Sequence, residues 1–184
     1  MKRGKALAII VTGLCCAGLE NSAAQLAQPR RPERPYVANQ QGPSGGTGGG
    51  YCETNDVNPT WKLKSINVWS SSWIDRIDME FDEGKAEPRP VHCGGTGGQP
   101  NRVLTLAPRE YIVRVKGRYG NFVDYLYVQT NGPSGMKFRD FGNKNSTAMG
   151  EFDYIAPEGL AIAGFVIRSG TYVDAVGVVL RKRP

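Results

Sequence analysis

The sequence predicts an all-β domain with pseudo-threefold symmetry, and three observations carry that expectation. A short motif recurs as Gly120-Asn121-Phe122-Val123-Asp124 and Gly170-Thr171-Tyr172-Val173-Asp174, and as Ser71-Ser72-Trp73-Ile74-Asp75, where serine replaces the glycine. Its aspartates stand 49 and 50 residues apart, a period that points to a repeat architecture. A glycine cluster recurs in step: Gly45-Gly46-Thr47-Gly48-Gly49 returns 49 residues later as Gly94-Gly95-Thr96-Gly97-Gly98. Between these marks lie short β-prone runs punctuated by glycine, with no convincing amphipathic helix.

The strands follow in order. Ile66 and Val68 alternate with polar neighbours, and Ile77, Met79 and Phe81 alternate with Asp78, Glu80 and Asp82. Such a period of two gives one apolar and one acidic face. Val103–Leu106 is short and β-prone. Tyr111, Val113 and Val115 alternate with Ile112, Arg114 and Lys116. Phe122–Thr130 is β-branched and aromatic and ends in the Asn131-Gly132 turn signal. Leu160–Ile167 and Tyr172–Leu180 are apolar strands flanking Arg168-Ser169-Gly170. Gly42–Gly50 is too glycine-dense to form a strand interior. Gly132-Pro133-Ser134-Gly135 repeats Gly42-Pro43-Ser44-Gly45 and reads as the third glycine loop.

The N-terminus reads as a targeting segment. Lys2, Arg3 and Lys5 precede an apolar run, Ala6–Leu19, and Ser22-Ala23-Ala24 offers small residues for cleavage. The run is too short for a comfortable membrane span, so residues 1–24 are expected to be a secretory signal peptide. The protein is then secreted or periplasmic. Residues 25–41, with Pro29, Pro32 and Pro35, read as a linker, and residues 42–184 as the domain with a short basic C-terminal tail.

The charge balance changes when the signal segment is removed. The chain has 23 basic and 17 acidic side chains; residues 1–24 carry three and one of them, leaving a net +4. Six of the remaining cations lie in the expected tails: Arg30, Arg31, Arg34, Arg181, Lys182 and Arg183. The body therefore offers no clustered basic face for nucleic acid. Cys52 and Cys93 remain in an exported chain, where one disulfide is the default. With His92 they make only three soft ligands, and the adjacency of His92 and Cys93 suits a metal badly. No metal or cofactor is expected.

One Gly-x-x-x-Asp is ordinary turn chemistry, since Asp caps turns and Gly takes positive φ. Three copies establish a repeat, which symmetry would preserve whether or not the loops bind anything. The arrangement does suit a polyhydroxylated ligand. A fixed carboxylate accepts from two hydroxyls in charge-assisted bonds, and glycines let backbone approach closely.

These residues resemble the jacalin-related lectins. The resemblance covers about residues 42–180. It includes the Gly-Pro-Ser-Gly-Gly-Thr-Gly-Gly opening, His92–Gly98, Glu110-Tyr111-Ile112, Thr130-Asn131, and Ile162–Gly170 running into Tyr172–Gly177. It implies a β-prism of three Greek-key sheets and a non-catalytic carbohydrate site. Gly45 or Gly46 would then lie beside Gly170, Thr171, Tyr172, Val173 and Asp174. Asp174 would accept from sugar hydroxyls, and the Thr171 and Tyr172 amides would donate. Threefold symmetry suggests a second site, from Gly94 and Gly95 with Ser72–Asp75, and a third, from residues 132–135 with Gly120, Asn121, Phe122, Val123 and Asp124. Ser71 in place of glycine suggests a strained or closed second site. The uncut chain upstream of Gly42 favours a mannose- or glucose-type ligand, and avidity would come from several sites or a homo-oligomer.

Two other classes suit these residues less well. A hydrolase triad needs a base, and His92 is the sole histidine; a glycosidase needs two carboxylates at a set separation, whereas these aspartates belong to separate copies. The alternative is a β-prism interaction or adhesion module that has lost sugar binding and takes a protein partner.

Overall fold

The computed structural model describes residues 39–52 and 60–183, all of them strand, turn or loop. The expected signal peptide and most of the expected linker lie outside the described residues. Thirteen strands form three Greek-key sheets around one axis, two of them joined at one edge by the single pair Ile162 and Ile112. The first sheet to form in sequence comprises β3 (Lys62–Ser70), β4 (Ile74–Asp82), β5 (Arg89–Gly94) and the short β6 (Gln99–Pro100) and β7 (Leu104–Thr105). The next has β8 (Tyr111–Tyr119), β9 (Val123–Gly132), β10 (Gly135–Gly142) and β11 (Gly150–Ile155). The last joins β12 (Leu160–Ser169) and β13 (Val173–Lys182) to the N-terminal β1 (Gln40–Gly45) and β2 (Gly50–Tyr51).

Each sheet has the same order: β5-β4-β3-β6, β10-β9-β8-β11 and β1-β13-β12-β2. The repeat extends to backbone irregularities. Register slips fall between Leu63 and Ser65, Ile112 and Arg114, and Ile162 and Gly164. Such bulges bend a strand and turn its side chains over. That explains one departure from the expected alternation. Tyr111, Val113 and Val115 do not share a buried face: Ile112 and Val115 are both fully buried, because the bulge at Val113 resets the period. The three inner faces meet in one core that includes Ile66, Phe81, Ile112, Leu126, Phe165 and Val178.

Four boundaries differ from expectation. The domain begins before residue 42: Gln40 and Gln41 pair with Val179 and Val178, so the end of the linker is strand. Gly42–Gly45, expected as loop, also lies in β1, where the register slips between Gln41 and Ser44 and Gly42 takes φ 78°. Gly132–Gly135 is the β9–β10 hairpin turn and not the third glycine loop. The C-terminal basic residues are no tail: Arg181 and Lys182 belong to β13, and Arg183 donates to the Leu160 carbonyl and lies over the Tyr111 ring.

Cys52 and Cys93 form a disulfide across 41 residues, with Cα atoms 5.6 Å apart. It ties the segment after β2 to β5, and so links two sheets. A loop of that length corresponds to about 4 kcal/mol in the chain-entropy description.

At the start of β8, buried Glu110 accepts from the Thr130 hydroxyl at 2.6 Å, the Ala107 amide at 3.0 Å and Lys137 at 3.3 Å. Burial opposes its ionisation, but these donors outweigh it and hold the carboxyl below its ordinary range. A lowered folded value adds stability above the unfolded pKa that is lost as pH falls through the folded one. Glu110→Gln is therefore expected to cost about 2 kcal/mol near neutral pH. In parallel thermal melts from pH 7 down to pH 3, the gap between wild type and variant should narrow in the acid range.

Candidate functional site

The three Gly-x-x-x-Asp loops join the two central strands of each sheet and sit together at one end of the prism. Each closes with the same hydrogen bond, from its first amide to its third carbonyl: Ser71 to Trp73, Gly120 to Phe122 and Gly170 to Tyr172, at 2.9–3.0 Å. The fourth residues, Ile74, Val123 and Val173, are fully buried. The third residues meet as an aromatic triad: Trp73–Tyr172 centroids lie 5.0 Å apart, Phe122–Tyr172 4.8 Å and Trp73–Phe122 5.6 Å. Residues roughly fifty apart in sequence thus cap the pseudo-threefold axis with one cluster, whose geometry is that of favourable edge and tilted aromatic pairs.

The glycine loops pack onto these turns by close backbone contact. Gly46 donates to the Asp174 carbonyl at 2.8 Å and Gly95 to the Asp75 carbonyl at 3.0 Å. The third equivalent is Asn143, which donates to the Asp124 carbonyl at 2.9 Å. The preceding glycines, Gly45, Gly94 and Gly142, all have positive φ. The third glycine loop therefore starts at Gly142, which keeps the spacing of the other two; the sequence signal was a lone glycine, easily passed over beside Gly132–Gly135.

The structure brings Gly45, Gly46 and the 170–174 loop together, and likewise Gly94, Gly95 and the 71–75 loop. Asp124 faces residues 142–146 instead of 132–135. The second glycine pair of each cluster was not singled out in the sequence, yet it covers the carboxylate. A Cβ on Gly48 or Gly49 would collide with the Asp174 carboxylate, and one on Gly97 or Gly98 would stand 2.6–2.7 Å from Asp75 carboxylate oxygens. The side-chain-free loop is what allows a carboxylate to lie directly beneath the backbone.

Asp174 is 4% exposed. Burial pushes its carboxyl above the ordinary range, partly offset by the Arg168 charge and by hydrogen bonding with the Gly170 and Asp174 backbone. Among the described residues, no hydrogen bond engages the Thr171 or Tyr172 amide. Asp124 is also pushed up by burial, with the Arg118 charge acting against that; the Ser146 hydroxyl is buried nearby but forms no hydrogen bond of good geometry. In the middle copy by glycine-loop order, that of Gly94–Gly98 and Ser71–Asp75, the Ser71 hydroxyl donates to Asp75 Oδ2 at 2.9 Å. Serine there causes no strain: neither Gly120 nor Gly170 has positive φ, and neither has a close neighbour in the direction of a Cβ. It instead commits one carboxylate oxygen to a protein hydroxyl.

Arg168 is the residue that sequence reasoning passed over. Its guanidinium donates to the Thr47 carbonyl and, at 3.3 Å, to the Gly49 carbonyl. Arg118 repeats this, donating to the Lys144 carbonyl at 2.9 Å. Both arginines stand six residues before their aspartate, and that shared offset was the available signal. The middle copy has Trp69 there, bonded to Asp78. Among the described residues, no three His, Cys, Asp or Glu side chains converge as a metal set would.

Comparison with known proteins agrees with this geometry. The sequence pattern of the jacalin-like lectin domain matches residues 41–179, and the chain belongs to that family. It is 32% identical over 124 residues to jacalin-related lectin 3 of Arabidopsis thaliana, covering 63% of this chain but 20% of that longer protein. It is 25% identical to the Calystegia sepium lectin Calsepa, over 77% of this chain and 94% of Calsepa. Malaysian banana lectin superposes with a TM-score of 0.64 at 28% identity, covering 78% of this chain and 97% of the banana chain. The pineapple (Ananas comosus) lectin AcmJRL, described as mannose-binding, superposes at 0.63 with 26% identity, over 78% and 96% of the two chains. The fold is the β-prism of these lectins.

Arg168→Met should loosen the first glycine loop while leaving the core intact. The expected result is a loss of sugar affinity of about tenfold, one charge-assisted contact's worth, with the melting temperature nearly unchanged. Calorimetric titration beside thermal denaturation reads both.

Proposed function

We propose that this protein is an exported, non-catalytic lectin that binds mannose- or glucose-type pyranoses at the loop pair Gly45–Gly49 and Gly170–Asp174. The observation that carries the reading is Asp174: a buried carboxylate beneath a side-chain-free loop, next to the Thr171 and Tyr172 amides. A ligand with adjacent hydroxyls donates to the first and accepts from the second. Charge-assisted bonds of this kind are about twice as strong as neutral ones, and burial strengthens them further. Tyr172 and its aromatic neighbours offer an apolar surface for a sugar's C–H face.

The sugar class rests on relatives of related sequence. One is the mannose/glucose-specific lectin of Parkia platycephala, 26% identical over 151 residues; another is the pineapple lectin. Strand β1, Gln40–Gly45, leads into the loop across its register slip. Export rests on residues 1–24 as read from the sequence. The Asp124 and Asp75 loops are further candidate sites of the same chemistry; the serine beside each carboxylate ranks them below the first.

Asp174→Asn keeps the shape and removes the charge. A folded pKa above the unfolded one means that ionised Asp174 opposes folding: the cost is absent below the unfolded pKa, grows as pH rises through the folded value and is complete above it. The variant should thus lose mannoside binding at the first loop while its melting temperature at pH 7 holds or rises. A mannose-glycan array paired with thermal denaturation checks this; undiminished glycan binding, or a large fall in stability, contradicts it. In the wild type, first-site affinity should decline on acidification at a higher pH than an unperturbed aspartate would give.

A further inference from the structure

A cavity of about 680 Å³ lies at the pole opposite the Gly-x-x-x-Asp loops. It is framed by the other ends of the same strands: the start of β3, the end of β4, the starts of β8 and β12 and the end of β13. Nine- and ten-residue strands place it roughly 30 Å from the sugar loops. Its apolar wall includes Trp61, Leu106 and Ile162, and its rim carries Lys62, Lys64, Arg109, Arg181 and Lys182. Among the described residues, four of these cations, Lys62, Lys64, Arg109 and Lys182, face two acids, Asp82 and Glu110. Both acids are already engaged: Asp82 accepts the Gly84 amide at 2.8 Å, and Glu110 holds Thr130, Ala107 and Lys137.

Among the described residues, Lys62, Lys64, Arg109 and Lys182 form no ion pair. Arg109 is also the one non-glycine residue among them with positive φ, at 62°. The turn fixes this conformation through the Glu110 amide, which donates to the Ala107 carbonyl at 2.9 Å. Backbone states of that kind gather at functional sites. Arg181 donates from Nη1 to the Trp61 carbonyl at 3.3 Å, so one cation is fixed on the apolar wall.

The volume falls within the range of small-molecule sites, roughly 300–1,000 Å³. An apolar wall beneath an unbalanced cationic rim complements a ligand of matching form: a hydrocarbon body with one anionic head. We propose that this pole is a second binding site, for a small amphiphile bearing a carboxylate or phosphate head group. The site is independent of the sugar reading, since it shares no residue with the Gly45–Gly49 and Gly170–Asp174 loops.

The test uses dodecyl phosphate and dodecanoate, both below their micelle concentrations, with the full folded chain. Binding is followed by two-dimensional amide NMR and by titration calorimetry. The expected result is saturable one-to-one binding of both anions that shifts the Trp61 indole and the Lys62, Lys64 and Arg109 amides. Dodecyltrimethylammonium should not produce it. The double variant Lys62→Glu, Lys64→Glu should weaken binding by about tenfold, from two surface charges. Unchanged mannoside binding and melting temperature in that variant would show that it still folds. Equal binding of the cationic amphiphile, binding indifferent to the charge reversal, or shifts confined to another face would overturn the proposal, as would no binding by the folded wild type.

Discussion

One backbone hydrogen bond, made three times, holds the working end of this protein together. The carbonyl of each loop aspartate accepts an amide from the residue that follows a positive-φ glycine: Gly46 to Asp174, Gly95 to Asp75 and Asn143 to Asp124. It fastens an edge strand's end to the turn between the two central strands. It also presses loop backbone against the neighbouring sheet, where a Cβ on Gly46 would strike the Asn121 carbonyl and one on Gly95 the Thr171 carbonyl. Every other feature of the pole follows from that packing. The aromatic triad closes the axis because the three turns are drawn together, and the carboxylates become buried because the glycine loops lie over them.

The three copies then diverge in how they satisfy the buried charge. The first leaves Asp174 to backbone groups and to the field of Arg168. The middle copy gives Asp75 a serine hydroxyl and replaces the arginine with Trp69. The last keeps an arginine, Arg118, but substitutes Asn145 and Ser146 where the first has Gly48 and Gly49. A buried carboxylate is stable only when its remaining lone pairs find donors. Where the protein supplies few side-chain donors, a ligand's hydroxyls can supply them. That is the physical reason to place function at the first copy.

Much of this was legible before the structure. The repeat of aspartates fixed three equivalent turns, and the alternation in β4 and the apolar runs of β12 and β13 marked the core faces. Three kinds of information were not legible. Bulges at equivalent places, as at Val113, break the period of two and hide in sequence as ordinary residues. The edge strand β1 contains Gly42 and Pro43, which argue against strand one residue at a time but are accommodated by a register slip. Gly132–Gly135 copies the letters of Gly42–Gly45 without their position, because a hairpin turn and a slipped edge strand draw on the same glycine and proline residues. The arginine clamp was legible only as a pair, Arg118 and Arg168, fifty residues apart.

The central claim is that carbohydrate enters at the first loop pair and is held by Asp174 and the adjacent amides. The most direct measurement is a nitrogen-15 amide NMR titration of the folded chain with methyl α-mannoside. The account expects saturable shifts concentrated at residues 45–49 and 170–174, with Thr171 and Tyr172 among the largest, and quiet signals at the Lys62 pole. Shifts centred on residues 120–124 or 71–75 with a silent 170–174 loop, or a folded protein with no shifts for mannose, glucose or galactose, would contradict it.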